Sequence, residues 1–295
     1  MNIKSTSFST ILIPLLFVAL WSTGFIGAKY GLPYIEPYHF LAVRFGLTLA
    51  ILAPIVFILK HPLPQSITEY RHIFVSGALI HIAYLGGVFS AIKMGLPAGI
   101  TAIIVGFQPI LTLLSLKGSR SHKNIIIAIA GLVGLFLVVT AGNIHHLQWQ
   151  AQQLVPVFIA LIGITYGTLY QKRYCSDINM VSLAFLQYIP TFLIFMFIAL
   201  LYEGDSEIIW HIDLVASLFW LSIVLSIGAI LLMNVLYQKN SSHSAANYFY
   251  LAPPLAIIQG SIFFNESITF VSWIGILLIL GCIYFSNRFK SKKST

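Results

Sequence analysis

Apolar residues fill long stretches of the chain, and prolines, charges and polar clusters interrupt them at fairly regular intervals. The stretches are apolar on all sides, without the alternation of polar and apolar positions that is typical of strands in a membrane β-barrel. Each is about 20 residues long, which as a helix is enough to cross a hydrocarbon layer roughly 30 Å thick. The pattern predicts ten membrane-spanning helices, near residues 9–29, 38–59, 72–92, 97–117, 124–142, 153–172, 181–202, 215–238, 244–264 and 268–287.

The overall composition leads to the same class of protein. Hydrophobic residues make up 58% of the 295 residues and charged residues only 8%, whereas an ordinary soluble domain carries about 25% charged residues. So few charges cannot cover a soluble surface. We therefore expect an all-α, polytopic membrane protein whose spans end at prolines and charges, because proline lacks an amide hydrogen and charges resist burial in lipid.

The basic residues are sorted between alternate connections, as the positive-inside tendency requires. With the N-terminus in the cytoplasm, the outer segments hold only Lys29 and Lys93, and Arg44 falls within the second span. Most acids show the opposite bias. We expect both termini in the cytoplasm, in a bacterial inner membrane, and the basic tail from Arg288 to be a topological anchor, with anionic-lipid contact as the alternative. The cytoplasmic basic residues are Lys4, Lys60, Arg71, Lys117, Arg120, Lys123, Lys172, Arg173, Lys239, Arg288, Lys290, Lys292 and Lys293.

This sorting explains the formal charge of +8 without a nucleic-acid partner. The two cysteines, Cys175 and Cys282, lie in different segments and indicate neither a metal site nor a disulfide framework. We expect no metal and no other cofactor.

The two halves of the chain show an internal similarity. An offset of about 143 aligns Gly24 with Gly167, and an offset of 144 aligns Pro109 with Pro253. Because each half contains five predicted spans, an odd number, the second half must enter the membrane from the opposite side. The halves, residues 1–143 and 144–295, are therefore predicted to be inverted five-helix repeats of the kind that alternating-access carriers use.

Several short motifs follow one another along nearly the whole chain. They are Trp21–Phe25, Lys29, Leu32–Pro37, Phe40–Phe45, Tyr84–Val88, Gly106–Pro109, Tyr250–Pro253 and Asn265–Ser267. In this order and spacing the chain resembles the EamA-type carriers of the drug/metabolite transporter superfamily. The resemblance implies ten helices in two inverted halves around a central cavity, and it points to export. The chain departs from the family pattern at His122, where an acid usually follows the fourth span.

Functional groups of a carrier line a water-accessible path near the middle of the bilayer. In the first span the central positions include Trp21 and Ser22, and in the sixth span they include Tyr166. We interpret these three as candidate substrate-binding residues, with helix packing as the alternative for the two aromatic side chains. The glycines Gly24 and Gly167 permit close approach of neighbouring helices, so a structural or gating role is expected for them.

The third span carries two polar side chains, His81 and Tyr84, on one helical face. The imidazole could bind a substrate carboxylate, carry a proton or hydrogen-bond to a neighbouring helix. Further substrate-binding candidates lie on the fourth, eighth and ninth spans: Gln108, Asn234, Tyr237 and Tyr248.

Arg44 is the formal charge that lies well inside a predicted span. It needs water or a partner, and Glu36 lies eight positions earlier. We expect a structural anchor, bonded to carbonyl groups or to Glu36, with substrate contact as the alternative. Pro109 and Pro253 free backbone carbonyls and give each half a possible hinge.

No Asp or Glu lies near the middle of any predicted span. Proton or sodium coupling commonly uses carboxylates there, so coupling would depend on His81 or on acids at the rim. We therefore expect uncoupled movement of a neutral or zwitterionic metabolite, for instance a hydrophobic or aromatic amino acid or a drug-like solute. An intramembrane enzyme and a channel are the alternatives, but the chain shows neither a metal-binding His-Glu pattern nor a Gly-x-Ser-x-Gly motif. Either a monomer or a homodimer is compatible with this sequence.

Overall fold

The structure is a computed structural model that describes residues 4–115, 122–143, 151–204, 206–228, 252–265 and 268–291. In these residues the regular secondary structure is entirely helical, and no strand is present among them. This confirms the predicted all-α class.

Residues 4–143 supply the helices of the first half. The third predicted span is a helix whose middle is a π-helical segment, with six residues that are wound more widely than the α-helix on either side. The elements are α1 (Lys4–Gly31), α2 (Pro37–Ile58), α3 (Ile67–Gly77), the π segment π1 (Ala78–Ala83), α4 (Tyr84–Lys93), α5 (Ala98–Gly106), α6 (Gln108–Ser115) and α7 (His122–Asn143).

The second half contains a second π segment at the corresponding place. Ala78 and Trp220, the first residues of the two π segments, are 142 positions apart, close to the offset of the sequence repeat. The elements are a 3₁₀ turn (Ala151–Gln153), α8 (Leu154–Tyr174), α9 (Met180–Tyr202), α10 (Ile212–Phe219), π2 (Trp220–Gly228), α11 (Ala252–Phe264) and α12 (Phe270–Ser291).

Local sequence explains where several helices begin. Pro37 starts α2, a position where the missing amide hydrogen breaks no helical bond. Ser66 and Glu69 form a capping box at the start of α3, each side chain bonding to the other's backbone amide. Asn179 caps α9 by accepting hydrogen bonds from two amides of its first turn, at 3.0 and 3.3 Å.

The prolines that the sequence repeat aligned lie near helix starts. The predicted fourth span is divided at Phe107, so that α5 ends at Gly106 and Pro109 is the second residue of α6. Pro253 follows Ala252, the first described residue of α11. Pro109 therefore lies where a helix can accept it.

Length and hydropathy identify four helical spans among the described residues, namely Pro37–Ile58, Ile67–Lys93, Ala151–Tyr174 and Met180–Tyr202. They coincide closely with the predicted second, third, sixth and seventh spans. Large apolar side chains face outward on them, with Phe197 63% and Leu200 64% exposed, as suits a surface in contact with lipid. The chain is an integral membrane protein, and the count of ten spans stays a prediction. Shorter apolar helices are Ala98–Thr112, Ile125–Gly134, Ile212–Gly228 and Phe270–Cys282.

Helices of the first half pack mainly on helices of the second half. The pairs in contact include α2 with α9, α5 with α11, α7 with α12, α4 and π1 with α8, and α1 with α10 and π2. The two halves make equivalent contacts. When each element in these pairs is replaced by its counterpart five predicted spans along the chain, the same pairs result. The third span thus packs on α8 as the eighth span packs on α1.

Glycines allow the closest of these helix contacts. An ideal Cβ on Gly167 would lie 2.7 Å from Cγ1 of Ile80 on π1, and one on Gly163 would lie 2.8 Å from Cβ of Ala83. In the other half, an ideal Cβ on Gly24 would lie 3.2 Å from Cδ2 of Leu225 on π2. Each π segment is therefore held against a glycine-bearing helix face.

Candidate functional site

Buried polar side chains from α2, α9 and the two π-containing spans meet inside the helix bundle. We call this group the central polar cluster, and it sits where α2 and α9 pack on each other between π1 and π2. Its members are Arg44 on α2, His81 on π1, Tyr84 on α4, Gln187 and Tyr188 on α9, and Ser226 on π2.

Gln187 is the centre of hydrogen bonding in this cluster and is only 4% exposed. Its amide nitrogen donates to Oγ of Ser76 at 2.8 Å and to Oε1 of Gln171 at 2.9 Å. Its own Oε1 accepts a hydrogen bond from Nε2 of His81 at 3.2 Å. The side chain thus links α9 to α3, to α8 and to π1, and the histidine is fixed as the Nε2 donor.

Arg44 is buried at 5% exposure, on the π2 side of the cluster. Its Nη2 donates to Oγ of Ser226 at 3.2 Å, and its guanidinium lies 5.6 Å from the ring centre of Phe45. The phenols of Tyr84 and Tyr188 are within electrostatic range. The predicted pairing with Glu36 does not form, because that carboxylate bonds to Nζ of Lys93 at 2.9 Å.

Aromatic rings fill the space around these polar groups. The rings of Phe45 and Tyr188 are 4.9 Å apart, and His81 meets Tyr188 edge-on at the same distance. Phe195 stacks on Phe45 at 6.1 Å. The cluster therefore combines one cation, one amide and one imidazole with aromatic neighbours.

The π segments explain why two of these side chains point to the centre. A π-helical turn accommodates an extra residue, which changes the angle of the side chains that follow, and such turns are frequent at functional sites. His81 lies within π1, which contacts α9, and Ser226 lies within π2, which contacts α2. Each half thus contributes one polar group from a π segment.

The other predicted site residues lie elsewhere. On α1, Ser22 is buried and donates to the carbonyl of Ala19 on its own helix, and the ring of Trp21 packs on Phe17 at 5.6 Å. Gln108 donates to Oγ1 of Thr168 at 3.0 Å, which joins α6 to α8. Both bonds stabilise helices or their packing.

Tyr166 is 46% exposed on α8, and its hydroxyl accepts a hydrogen bond from Ser115 at 3.3 Å. Asn234, Tyr237 and Tyr248 lie outside the described residues. Of the predicted substrate-binding residues, the structure brings His81 and Tyr84 together, beside Arg44.

Sequence reasoning missed Gln187, Tyr188 and Ser226. Gln187 interrupts the apolar run of the seventh predicted span, a signal similar to the one that identified Gln108 on the fourth. The serine gave no such signal, because buried serines commonly bond to their own helix. Only the approach of π2 to α2 shows that Ser226 faces Arg44.

One end of the bundle carries the acidic rim, formed by Glu36, Glu203 and Asp213. Both carboxylate oxygens of Glu203 accept backbone N–H bonds from the start of α2, at 3.1 and 2.8 Å, and its Oε2 also contacts Nδ1 of His39 at 3.1 Å. The carboxylate thus satisfies open amides at the positive end of the α2 dipole. At the other end of the bundle, His72 bonds to Tyr170 at 2.8 Å.

A cavity of about 450 Å³ opens beside the acidic rim. The hydroxyl of Tyr34 donates to Asp213 at 3.1 Å there. Partial burial, followed by this hydrogen bond and the aspartate's charge, raises the pKa of Tyr34 above its usual value. The lining includes Lys29, Tyr30, Tyr34, Lys93, Asp213 and Phe264.

No cluster of three or more His, Cys, Asp or Glu side chains that could hold a metal ion occurs in the described part of the chain.

Comparison with known proteins identifies the family of the chain. The sequence profile of the EamA-like transporter family matches residues 8–140 and again residues 152–288. An uncharacterized transporter of Bacillus subtilis, YvbV, is 28% identical, over 96% of this chain and 92% of its own. A "probable amino-acid metabolite efflux pump" of Escherichia coli is 22% identical, over 93% of each chain.

A solved crystal structure of another protein superposes with a TM-score of 0.64 at 18% identity, covering 94% of this chain and 98% of the other. This likeness concerns the fold alone. The profile match extends over both halves, the relatives are named as transporters, and the described helices are long and apolar. The chain therefore belongs to the EamA-like transporter family and is an integral membrane transporter.

Proposed function

We propose that this transporter is a carrier that exports small organic metabolites with apolar bodies by alternating access. The central polar cluster carries the proposal, because it places hydrogen-bonding groups and aromatic rings between helices of both halves, away from either end of the bundle. Hydrophobic or aromatic amino acids and drug-like solutes of similar shape fit this lining. Transport directly driven by ATP is not part of the proposal.

The ten-span arrangement in two inverted repeats, residues 1–143 and 144–295, belongs to the same proposal. Three observations support it: the family profile matches twice, the helix contacts are preserved when the halves are exchanged, and the π segments begin 142 positions apart. Two similar halves of opposite orientation give a carrier two related states, open to opposite sides.

We further propose that both termini lie in the cytoplasm and that the protein resides in a bacterial inner membrane. In the fold, Glu36, Glu203 and Asp213 gather at one end, which the charge pattern assigns to the outside. Most basic residues fall in connections assigned to the inside. An inner-membrane transporter of Escherichia coli, YedA, is 23% identical over 90% of this chain.

The substrate and the direction rest on two lines of support. The Escherichia coli relative is named a probable amino-acid metabolite efflux pump, which favours amino-acid-like solutes and export. The rings of Phe45, Tyr188 and Phe195 favour an apolar or aromatic body. The working unit is a monomer or a homodimer in the lipid bilayer.

The carrier works without ion coupling in this proposal. None of the eight acidic residues lies mid-span, and proton- or sodium-driven carriers commonly use carboxylates at that depth. The solute's own gradient then drives transport. Uptake into inside-out vesicles should continue after a protonophore is added at constant solute gradient, and a collapse of uptake would show proton coupling instead.

Counterflow in proteoliposomes tests the proposed function. Proteoliposomes that contain the purified protein are loaded with an excess of unlabelled solute. Entry of the labelled solute is then followed for a panel of aromatic, aliphatic and polar amino acids. We expect counterflow of aromatic or large aliphatic members, strongly reduced by His81→Ala because the imidazole lies in the cluster. His61→Ala, a histidine outside the spans, is the matched control and should retain the wild-type rate.

Two outcomes decide the test. Counterflow that His81→Ala and Gln187→Leu leave unchanged would show that the substrate path lies elsewhere. Absence of counterflow for every panel member, with protein shown to be folded and inserted, would contradict the proposed substrate class.

A further inference from the structure

Arg44 carries a charge that its surroundings do not balance. An arginine side chain has five N–H donors, and among the described residues Nη2 bonds to Ser226, whereas the buried Nε has no hydrogen-bond partner. An ionised group buried in a membrane protein is normally paired, hydrated or functional. Within the described part of the chain, the hydroxyl of Ser226 is the hydrogen-bond partner of this guanidinium, whose Nε is unpaired.

The acidic side chains in the described part of the chain bond to other groups or are exposed in connections between helices. Glu36 pairs with Lys93, Glu203 bonds to the start of α2, and Asp213 accepts from Tyr34. Glu69 belongs to the capping box of α3, while Asp177 and Glu207 are exposed in connections. Asp205 and Glu266 lie outside the described residues.

Residues 214–265, which include π2 and α11, contain no acid in the sequence, so a carboxylate from that region cannot reach Arg44.

The other cluster members fit a neutral environment around the guanidinium. Tyr84 and Tyr188 can donate hydrogen bonds from their hydroxyls, as the N–H groups of Arg44 can, whereas the hydroxyl of Ser226 already donates to the carbonyl of Leu221 and accepts from Arg44. Several donors converging on one place, beside the rings of Phe45 and Tyr188, suit an anionic group attached to an apolar body. A planar carboxylate also matches the paired N–H groups of a guanidinium.

Building on the proposed function, we propose that Arg44 binds the carboxylate of the transported solute, so that the carrier selects small organic carboxylates with an apolar or aromatic body. The cluster offers an ammonium group no carboxylate partner in the described residues. Recognition therefore depends on the carboxylate, and an amino group adds little to affinity. Zwitterionic amino acids and simple carboxylates of the same shape are both ligands, whereas the corresponding amines are not.

A set of four related compounds separates these features. L-phenylalanine has both charges, 3-phenylpropionate has only the carboxylate, and L-phenylalaninamide and phenethylamine have only the amino group. The readouts are the ligand-induced rise in thermal midpoint of the purified full chain in detergent and the inhibition of counterflow in proteoliposomes.

For the wild type we expect the two carboxylates to raise the midpoint and to compete in counterflow at similar concentrations. The two amines should require about 10- to 100-fold higher concentrations, the range expected when a charge-assisted hydrogen-bonded pair is lost. Arg44→Gln should lose this discrimination, and Arg44→Lys should keep part of it because the positive charge remains. Arg173→Gln, which removes an exposed arginine at the end of α8, is the matched control and should behave as wild type.

A purely structural role for Arg44 gives a different pattern. The ligand-free midpoint would then fall in Arg44→Gln while the preference for carboxylates persisted in whatever protein remained folded, and this result would overturn the proposal. Equal responses of the wild type to the carboxylates and the amines would overturn it as well, without any variant. If the carboxylates stabilise the wild type through Arg44 but no counterflow occurs, the binding assignment holds and the proposed transport function fails.

Discussion

The distances in the contact between α8 and π1 predict how much stability the substitution Gly163→Ala should cost. An ideal Cβ on Gly163 would lie 2.8 Å from Cβ of Ala83 and 2.8 Å from the carbonyl oxygen of Leu79, and 3.1 Å from the amide nitrogen of Tyr84. Two of these three neighbours are backbone atoms, which cannot rotate away as a long side chain can. The methyl group of Gly163→Ala must therefore push α8 and π1 apart.

Overpacking of this kind typically costs about 1–3 kcal/mol. The helix propensity of alanine offsets up to about 1 kcal/mol of it, so a net loss of roughly 1–2 kcal/mol is expected. Larger side chains should cost more, and Gly163→Val should yield little folded protein.

The assay is the thermal midpoint of purified protein in one detergent, measured by intrinsic fluorescence and confirmed by size-exclusion chromatography after heating. Each kcal/mol corresponds to roughly 2–4 °C in domains of comparable size, so Gly163→Ala should lower the midpoint by several degrees. The matched control is Gly281→Ala on α12, where an added Cβ would meet no atom of the described residues within 4 Å. That variant should be unchanged or slightly stabilised.

A second-site variant makes the reasoning stricter. Ala83→Gly removes the Cβ that opposes the new methyl group but leaves the backbone atoms of Leu79 and Tyr84 in place. Gly163→Ala should therefore lower the midpoint less in an Ala83→Gly background than in the wild type, without the loss vanishing, and this comparison cancels the helix-propensity cost of Ala83→Gly itself. If Gly163→Ala has the midpoint of Gly281→Ala, the tight contact between α8 and π1 does not exist and the placement of π1 is refuted.

Three further predictions concern the two ends of the bundle. Glu203→Gln should lower the thermal midpoint, by the equivalent of about 1 kcal/mol, because the charge at the start of α2 is lost; Glu207→Gln, in an exposed connection, should not. Burial raises the pKa of the Cys175 thiol, so a maleimide should label it slowly at neutral pH and faster as the pH rises, and rapid labelling at pH 7 would contradict its burial. In a cysteine-free background, an impermeant maleimide should reach Ser176→Cys and Ser206→Cys from opposite sides of the membrane; labelling from one side would refute the orientation of α9.

The helices were largely predictable because lipid imposes a simple rule on sequence. A segment that crosses the hydrocarbon layer must satisfy its backbone internally and present apolar side chains, so an uninterrupted apolar run such as 181–202 identifies α9 within two residues. Interruptions within a span were less predictable. The π segments have no sequence signature as clear as a proline, and the break at Phe107 came one residue after Gly106 and two before Pro109, the residue expected to bend the helix.

The candidate site was predictable only where one residue was conspicuous by itself. His81 and Arg44 stand out as polar groups in apolar runs, and the structure places both in the central polar cluster. Their partners depend on distant segments: 106 positions separate His81 from Gln187, and 182 separate Arg44 from Ser226. No periodicity within one helix reports which face of another helix it meets, so the sequence offered carbonyl groups or Glu36 as anchors for Arg44 and gave no sign of Ser226.

The placement of the cluster relates the repeat to the chemistry of binding. His81 of π1 bonds to Gln187 of α9, and Ser226 of π2 bonds to Arg44 of α2. Each of these two bonds therefore joins a π segment of one half to an α-helix of the other half. The two bonds differ in kind, because one joins an imidazole to an amide and the other joins a guanidinium to a hydroxyl. In the proposed carrier, a scaffold of two similar halves would alternate between two related states while the proposed carboxylate-binding group, Arg44, stays on the side of π2. A solute with one carboxylate and an apolar body would then bind in a single orientation throughout the transport cycle.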